Sequence, residues 1–379
     1  MHEIRPSALE RILAVRLDNI GDVVMLSPAL RALKAFAPHA HTTLLASPAG
    51  SQVAPLLPWV DDVITLSAVW QLISDDGMID AEKELALIAA LKARQFDAAF
   101  IFTSFSQSPH PPAYACYLAG IPIRVGQSKE FGGALLTHWV KPMADTQYQV
   151  DRSLHLLREL GIPAEDNHME LVVPEADQHA AEVRLRGLGI GPREPVIVLA
   201  PGASAAARRY DEAHFAQAAQ MLTKQTGLPV LLIGSQRERD LKRFPTLETL
   251  TAYNSRVINM IGETSLGEMA ALIGRSAVTI ANNSGSMHIA AALNRPAVIL
   301  YSGTEHFEQW IPPLAAHAAY ASMKVLNRPT PCAPCHSFQC PYAMECLDIA
   351  PEEVAAAALE LLGESSAQNI SMEANLGRS

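Results

Sequence analysis

Six short stretches of this 379-residue chain hold residue types that suit acid–base chemistry, anion binding or metal ligation. Asp22 follows Gly21 in a turn just past an apolar run. A carboxylate there can act as a general base, and the glycine lets a substrate approach the backbone. The same carboxylate is also a favoured helix-start residue that needs no catalysis to explain it. Asp18, just beyond the run, is a weaker candidate for the same role. The loop Pro201-Gly202-Ala203-Ser204, followed by Arg208 and Arg209, combines exposed N–H groups with guanidinium charge, which suits a diphosphate. A solvated loop with surface arginines explains it equally well. In Asn282-Asn283-Ser284-Gly285-Ser286-Met287-His288, Ser284 and Gly285 lead into an apolar helix whose first N–H groups can hold an anion. His288 lies one turn further on, facing either that anion or the core. Glu238, after Gly234-Ser235, can accept hydrogen bonds from a sugar hydroxyl, and Gly262 and Thr264 open a further strand-to-helix turn; spacing alone gives these three no special role. Finally, Cys332, Cys335, Cys340 and Cys346 lie beside His336. Four such thiols can hold a structural zinc, although the spacing is not that of a two-CxxC ribbon and reduced core cysteines are an equal alternative.

These stretches fall in the loops of a strand–helix alternation. Arg11–Leu17 (RILAVRL) has strand length, and a helical period runs from Val23 to Ala37, with Pro28 in its first turns. Strands are expected at Thr42–Ala46, Val63–Leu66 and Ala98–Phe102, with a helix at Glu82–Arg94. The second half repeats the plan. Strands are expected at Pro195–Ala200, Pro229–Ile233, Ala277–Ala281 and Ala297–Tyr301, and helices at Glu212–Thr226, Ser265–Gly274 and Gly285–Leu293. This alternation predicts an α/β protein with mainly parallel sheets. The expected division is 1–175, 176–362 and a polar tail, 363–379, without a packing pattern and expected to be disordered. Two such domains facing each other would form a central cleft at the carboxyl ends of their strands, where ligands bind in such folds.

Composition narrows the function. Apolar residues are 49% of the chain and charged ones 18%, enough for two cores and too apolar for disorder. The net charge of −10 argues against general nucleic-acid binding. No apolar run is long enough for a membrane span, and the start lacks the apolar core of a signal peptide, so a cytoplasmic location is expected. The glycines of Arg186-Gly187-Leu188-Gly189-Ile190-Gly191 follow a helix and precede a strand, the wrong order for dinucleotide binding. Neither a G-x-x-x-x-G-K-[ST] loop, an H-E-x-x-H nor a G-x-S-x-G is present.

Taken in order, RILAVRLDNIGDVVMLSPALRALKAFAP, LAPGASAAARRYDEAHFAQAAQML, LLIGSQRERD, MIGETSLGEMAALI and TIANNSGSMHIAAALNRPAVILYSGT resemble glycosyltransferase family 9, the bacterial heptosyltransferases of lipopolysaccharide core assembly. The cysteine segment resembles a tail found in part of that family. The resemblance implies a GT-B fold of two Rossmann-like domains, acceptor on the first and nucleotide-sugar donor on the second. It implies inverting transfer of L-glycero-D-manno-heptose from ADP-heptose to a lipid-linked inner-core acceptor. No cofactor is needed for that chemistry, and contact with the cytoplasmic face of the inner membrane would be peripheral. Asp22 matches the family's catalytic base, with Asp18 and Gly21 on the acceptor side. Arg208 matches a phosphate-facing Lys or Arg, with Arg209 one residue away. Glu238 matches a donor-side glutamate, and Ser284, Gly285 and His288 match the diphosphate turn; Ser204, Gly262 and Thr264 fall on the same side. Asn283 stands where the family often has Asp, keeping the shape and losing the charge. Two other readings remain open: a related transferase using a different nucleotide sugar, and a non-catalytic sugar-nucleotide-binding protein.

Overall fold

The computed structural model describes residues 3–71, 80–313 and 323–376, with side chains to residue 364. The chain divides into two compact units, Met1–Val172 and Val173–Ser379.

In the first unit six strands form one parallel sheet in the order β3-β2-β1-β4-β5-β6. They are β1 (Arg11–Arg16), β2 (His41–Ala46), β3 (Asp62–Thr65), β4 (Ala98–Ile101), β5 (Ile123–Gln127) and β6 (His138–Val140). The central β1 pairs Ile12 with Thr42 on one side and with Ala98 on the other. A strand flanked on both edges and covered on both faces has no solvent side, which is why it reads as a continuous apolar run. Its helices are α1 (Ile20–Val24), α2 (Ser27–Phe36), α3 (Ala81–Arg94), α4 (His110–Leu118) and α5 (Gln149–Arg158). The single helix expected from Val23 is two helices. Pro28 has no N–H to donate and its ring would strike the carbonyl of residue 24, so the first helix ends there and a second starts at Ser27.

The second unit repeats this topology. Its sheet has the order β12-β11-β10-β7-β8-β9, from β7 (Val196–Ala200), β8 (Val230–Leu232), β9 (Val257–Asn259), β10 (Ser276–Asn282), β11 (Ala297–Leu300) and β12 (Met323–Leu326). The helices are α6 (Glu175–Gly187), α7 (Glu212–Thr226), α8 (Gln236–Asp240), α9 (Pro245–Tyr253), α10 (Leu266–Arg275), α11 (Gly285–Ala292) and α12 (Pro351–Leu376). Asp211 caps α7 by accepting from the amides of Ala213 (2.8 Å) and His214 (3.1 Å), and Gly227 ends it at φ 70°. Phe215, Leu222, Ile197, Ile280, Leu300 and Leu361 pack in one apolar cluster between sheet and helices. The backbone of α12 continues to Leu376, past the expected end at Leu362 and through most of the segment expected as a disordered tail. Strands β5, β6, β9 and β12 are not among those expected from the sequence. Among the described residues no helix is long and apolar enough to cross a membrane.

Candidate active site

Each sheet reverses its strand order once, between β1 and β4 in the first unit and between β7 and β10 in the second. The loops leaving such a pair of strands diverge and leave a crevice at their carboxyl ends, where ligands bind in open α/β folds. Asp18 and Asp22 follow β1 in the first unit, and the Pro201–Ser204 loop and Ser284 follow β7 and β10 in the second, each at its unit's reversal.

In the first unit the organising group is Arg16, the last residue of β1, whose side chain is 1% exposed. Its Nη2 donates to Asp22 Oδ1 at 2.8 Å and to Ser104 Oγ at 2.9 Å. Its Nε lies 3.0 Å from Asp18 Oδ2, an ion pair without hydrogen-bond alignment. Asp22 takes the helix-start role expected of it. One oxygen accepts from the Asn19 amide at 3.2 Å and closes the start of α1, the other faces Arg16, and the side chain keeps 12% of its surface open. Asp18 is enclosed, with Gln107 Nε2 donating to its carboxylate. Burial pushes the Asp18 carboxyl up to about 6, outweighing the pull of Arg16, and the nearby charge of Asp22 adds to the rise. A second buried arginine, Arg152, is pushed down to about 10 by burial and by Arg16, and its Nε donates to Thr103 O at 3.2 Å. Both carboxylates thus face Arg16, with side chains 9% (Asp18) and 12% (Asp22) exposed. Gly21 is buried within α1. The spacing of residues gave no sign of Arg16 or Ser104, because Arg16 looks like an ordinary strand-end residue and Ser104 lies 88 residues away.

In the second unit Asn282, at the end of β10, ties two loops together. It donates to Pro201 O at 2.7 Å and accepts from the Tyr210 amide at 3.0 Å. This sets the Pro201–Ser204 loop beside the start of α11. There Ser284 Oγ is buried without a hydrogen-bond partner among the described residues, and Thr264 Oγ1 is in the same state. Buried hydroxyls left unpaired cost free energy unless a ligand or water completes them. Gly285 opens α11, Asn283 is buried with its amide beside the Tyr301 phenol, and His288 is buried within the helix. Glu238 closes α8, accepting from the amide and hydroxyl of Ser235, each at 2.8 Å. It also leans over Gly202, where any side chain would collide with its carboxylate. Gly262 adopts φ 72°, which only glycine takes without strain. Ser204 is exposed. The two neighbouring arginines separate. Arg209 donates from Nε to Ala203 O at 3.0 Å and braces its own loop. Arg208 pairs with Glu305 at 2.8 Å and donates to Thr304 Oγ1 at 3.3 Å.

The four clustered cysteines are all free thiols lining one cavity of about 370 Å³. The expected zinc site is corrected by this geometry: among the described residues no three His, Cys, Asp or Glu side chains come together so as to hold a metal ion. The Cys332–Cys346 segment instead packs on the second unit's loops. Cys335 N donates to Gly303 O (3.0 Å), His336 N to Thr304 O (2.9 Å), and Ala207 N to Phe338 O (3.0 Å).

Comparison with known proteins gives a family and a fold. The model of glycosyltransferase family 9 (heptosyltransferase) matches residues 84–344. Lipopolysaccharide heptosyltransferase 2 of Escherichia coli K12 is 27% identical over 81% of this chain and 86% of its own. The solved structure of the E. coli ADP-heptose lps heptosyltransferase II superposes with TM-score 0.71 at 23% identity, covering 94% of this chain and 99% of that one. A family 9 glycosyl transferase from Veillonella parvula DSM 2008 superposes with TM-score 0.74 at 21% identity, covering 94% and 97%.

Proposed function

The chain belongs to glycosyltransferase family 9 and is a glycosyltransferase of two Rossmann-like α/β domains, the GT-B plan, and from that premise we propose that it moves a heptose from ADP-heptose to an inner-core acceptor of lipopolysaccharide, with inversion. The observation that carries the mechanism is the Arg16–Asp22 hydrogen bond of 2.8 Å at the strand-order reversal. A buried guanidinium holds the carboxylate in place, and the part of Asp22 still open is where an acceptor hydroxyl would approach.

In the step, Asp22 takes the proton of the acceptor hydroxyl as its oxygen bonds to the anomeric carbon. The bond from that carbon to the diphosphate oxygen breaks, and ADP leaves with the electron pair. The charge developing on the diphosphate is met by Arg208 and by the N–H groups at the start of α11, led by Ser284 and Gly285. Preformed donors of this kind supply electrostatic stabilisation, so this chemistry requires no cofactor. The relatives whose names state lipopolysaccharide and ADP-heptose support both substrate classes. An acceptor carried on a lipid brings the enzyme to the membrane surface as a peripheral visitor.

Two measurements test this reading. Calorimetric titration with ADP, UDP, GDP and their sugars should show preference for the adenine series; preference for a uridine or guanosine sugar transfers the protein to another glycan. Asp22→Ala should lower transfer by about 10²- to 10⁴-fold with donor affinity retained. Undiminished transfer would remove Asp22 as the base.

A further inference from the structure

Arg208 is already engaged. Its Nη2 lies 2.8 Å from Glu305 Oε2, with the two side chains only 23% and 20% exposed, and its Nε donates to Thr304 Oγ1 at 3.3 Å. The pair is held by more than its own attraction. Glu305 follows Gly303 and Thr304 in the loop after β11, and those residues' carbonyls accept from Cys335 and His336. The same segment reaches the other partner, since Phe338 O accepts from the amide of Ala207, next to Arg208. Gly303 is wedged so closely that a methyl group there would come 2.9 Å from Ala333 Cβ. Thr304 Oγ1 is further fixed by Ser302 Oγ at 3.1 Å. The cysteine-bearing segment thus pins the backbone beside both members of one ion pair, so less freedom is lost in keeping it formed. Loops gripped in this way turn an ordinary surface pair into a persistent one.

We infer that Glu305 is an internal competitor for the donor's diphosphate: its carboxylate engages the Arg208 guanidinium and weakens the hold on any nucleoside diphosphate placed there. This deepens the proposal that Arg208 binds the diphosphate, and rests on it. A diphosphate approaching Arg208 must share or displace the carboxylate, and two anions at one guanidinium repel. For a transferase this serves turnover. The product nucleoside diphosphate carries more charge than the donor, so a fixed negative group beside its binding cation speeds its departure. Glu305 acts through Arg208 and is a positioning and specificity residue.

The experiment is a double-mutant cycle of binding, using ADP and inorganic pyrophosphate as probes, on the full-length wild type, Glu305→Gln, Arg208→Gln and the double variant. Thermal melts of each confirm that it folds. Glu305→Gln should bind both probes about 5- to 10-fold more tightly and release them more slowly, the scale of one partly exposed charge. Arg208→Gln should weaken both probes, and in its background Glu305→Gln should change nothing further. A merely structural glutamate would not show that loss of effect. Should Arg208→Gln weaken binding while Glu305→Gln leaves it unchanged or looser, the competitor role is overturned and the Arg208 reading stands. Unchanged binding by Arg208→Gln overturns both. A gain from Glu305→Gln that persists without Arg208 overturns the route through the guanidinium.

Discussion

Asp18→Asn tests whether burial or Arg16 governs the cluster under β1. The Asp18 carboxyl is raised from 3.8 to about 6, because enclosure penalises its charged form more than Arg16 favours it. The sign follows from proton linkage. A carboxyl whose folded pKa is raised binds its proton more tightly when folded. Its contribution is therefore fully favourable below the unfolded pKa near 3.8 and is lost as pH climbs through 6. A rise of that size corresponds to about 3 kcal/mol once ionisation is complete, and roughly 2 kcal/mol of that falls between about pH 4.5 and 7.5. Asparagine has the same shape and does not titrate, so the variant should gain stability relative to wild type by about that amount over this interval. Subtracting the two proteins removes the titration of all carboxylates they share. Urea unfolding at a series of pH values measures it, with fluorescence dominated by Trp59, Trp70 and Trp139 of the first unit. A difference that stays flat with pH, or shrinks as pH rises, would falsify the account: Arg16 would then outweigh burial, and Asp18 would be an ordinary ion-pair partner.

Arg16→Met leaves two carboxylates around a site that has lost its buried cation, and should cost about 3–5 kcal/mol in the same urea assay. Arg16→Lys keeps the charge but lacks the fork that reaches Asp18, Asp22 and Ser104 together, so it should recover only part of that stability and a smaller part of transfer activity. An Arg16→Met protein with wild-type stability would mean the cluster is solvated and of no consequence. Gly202→Ala drives a methyl group into the Glu238 carboxylate and should cost about 1–3 kcal/mol and loosen ADP binding, read by thermal melting and calorimetry. Unchanged melting and binding would show that Glu238 moves aside freely.

Arg208 and Arg209 show how far sequence reasoning reaches within one site. Adjacent, identical in chemistry and both near a small-residue loop, they are equivalent candidates in the sequence. Folding sends Arg209 back onto its own carbonyls and Arg208 across to Thr304 and Glu305, residues that come almost a hundred positions later. His288 shows what burial adds: the polar turn before it suggested a ligand role, and α11 buries it together with Met287, Ile289 and Ala290. Zinc, one of the two readings that the cysteine spacing left open, gains no support among the described residues, since spacing along a chain limits which thiols can meet but not whether they do.

The sequence by itself determined the strand–helix alternation, the doubling of the plan, the central strands and the turns in which chemistry is concentrated. Those properties are local: apolar period, capping residues, glycine and proline act within a few residues of where they are read. It also carried the family, because several motifs in a fixed order are specific even when each alone is weak. Tertiary structure alone decided that Arg16 is the buried hub of Asp18, Asp22 and Ser104, that Asp18 is the carboxyl whose charge is penalised, and that a cysteine segment pins the backbone beside the Arg208–Glu305 pair. Those facts depend on burial and on contacts between distant residues, and desolvation is a property of the packed environment that no residue carries in its own identity.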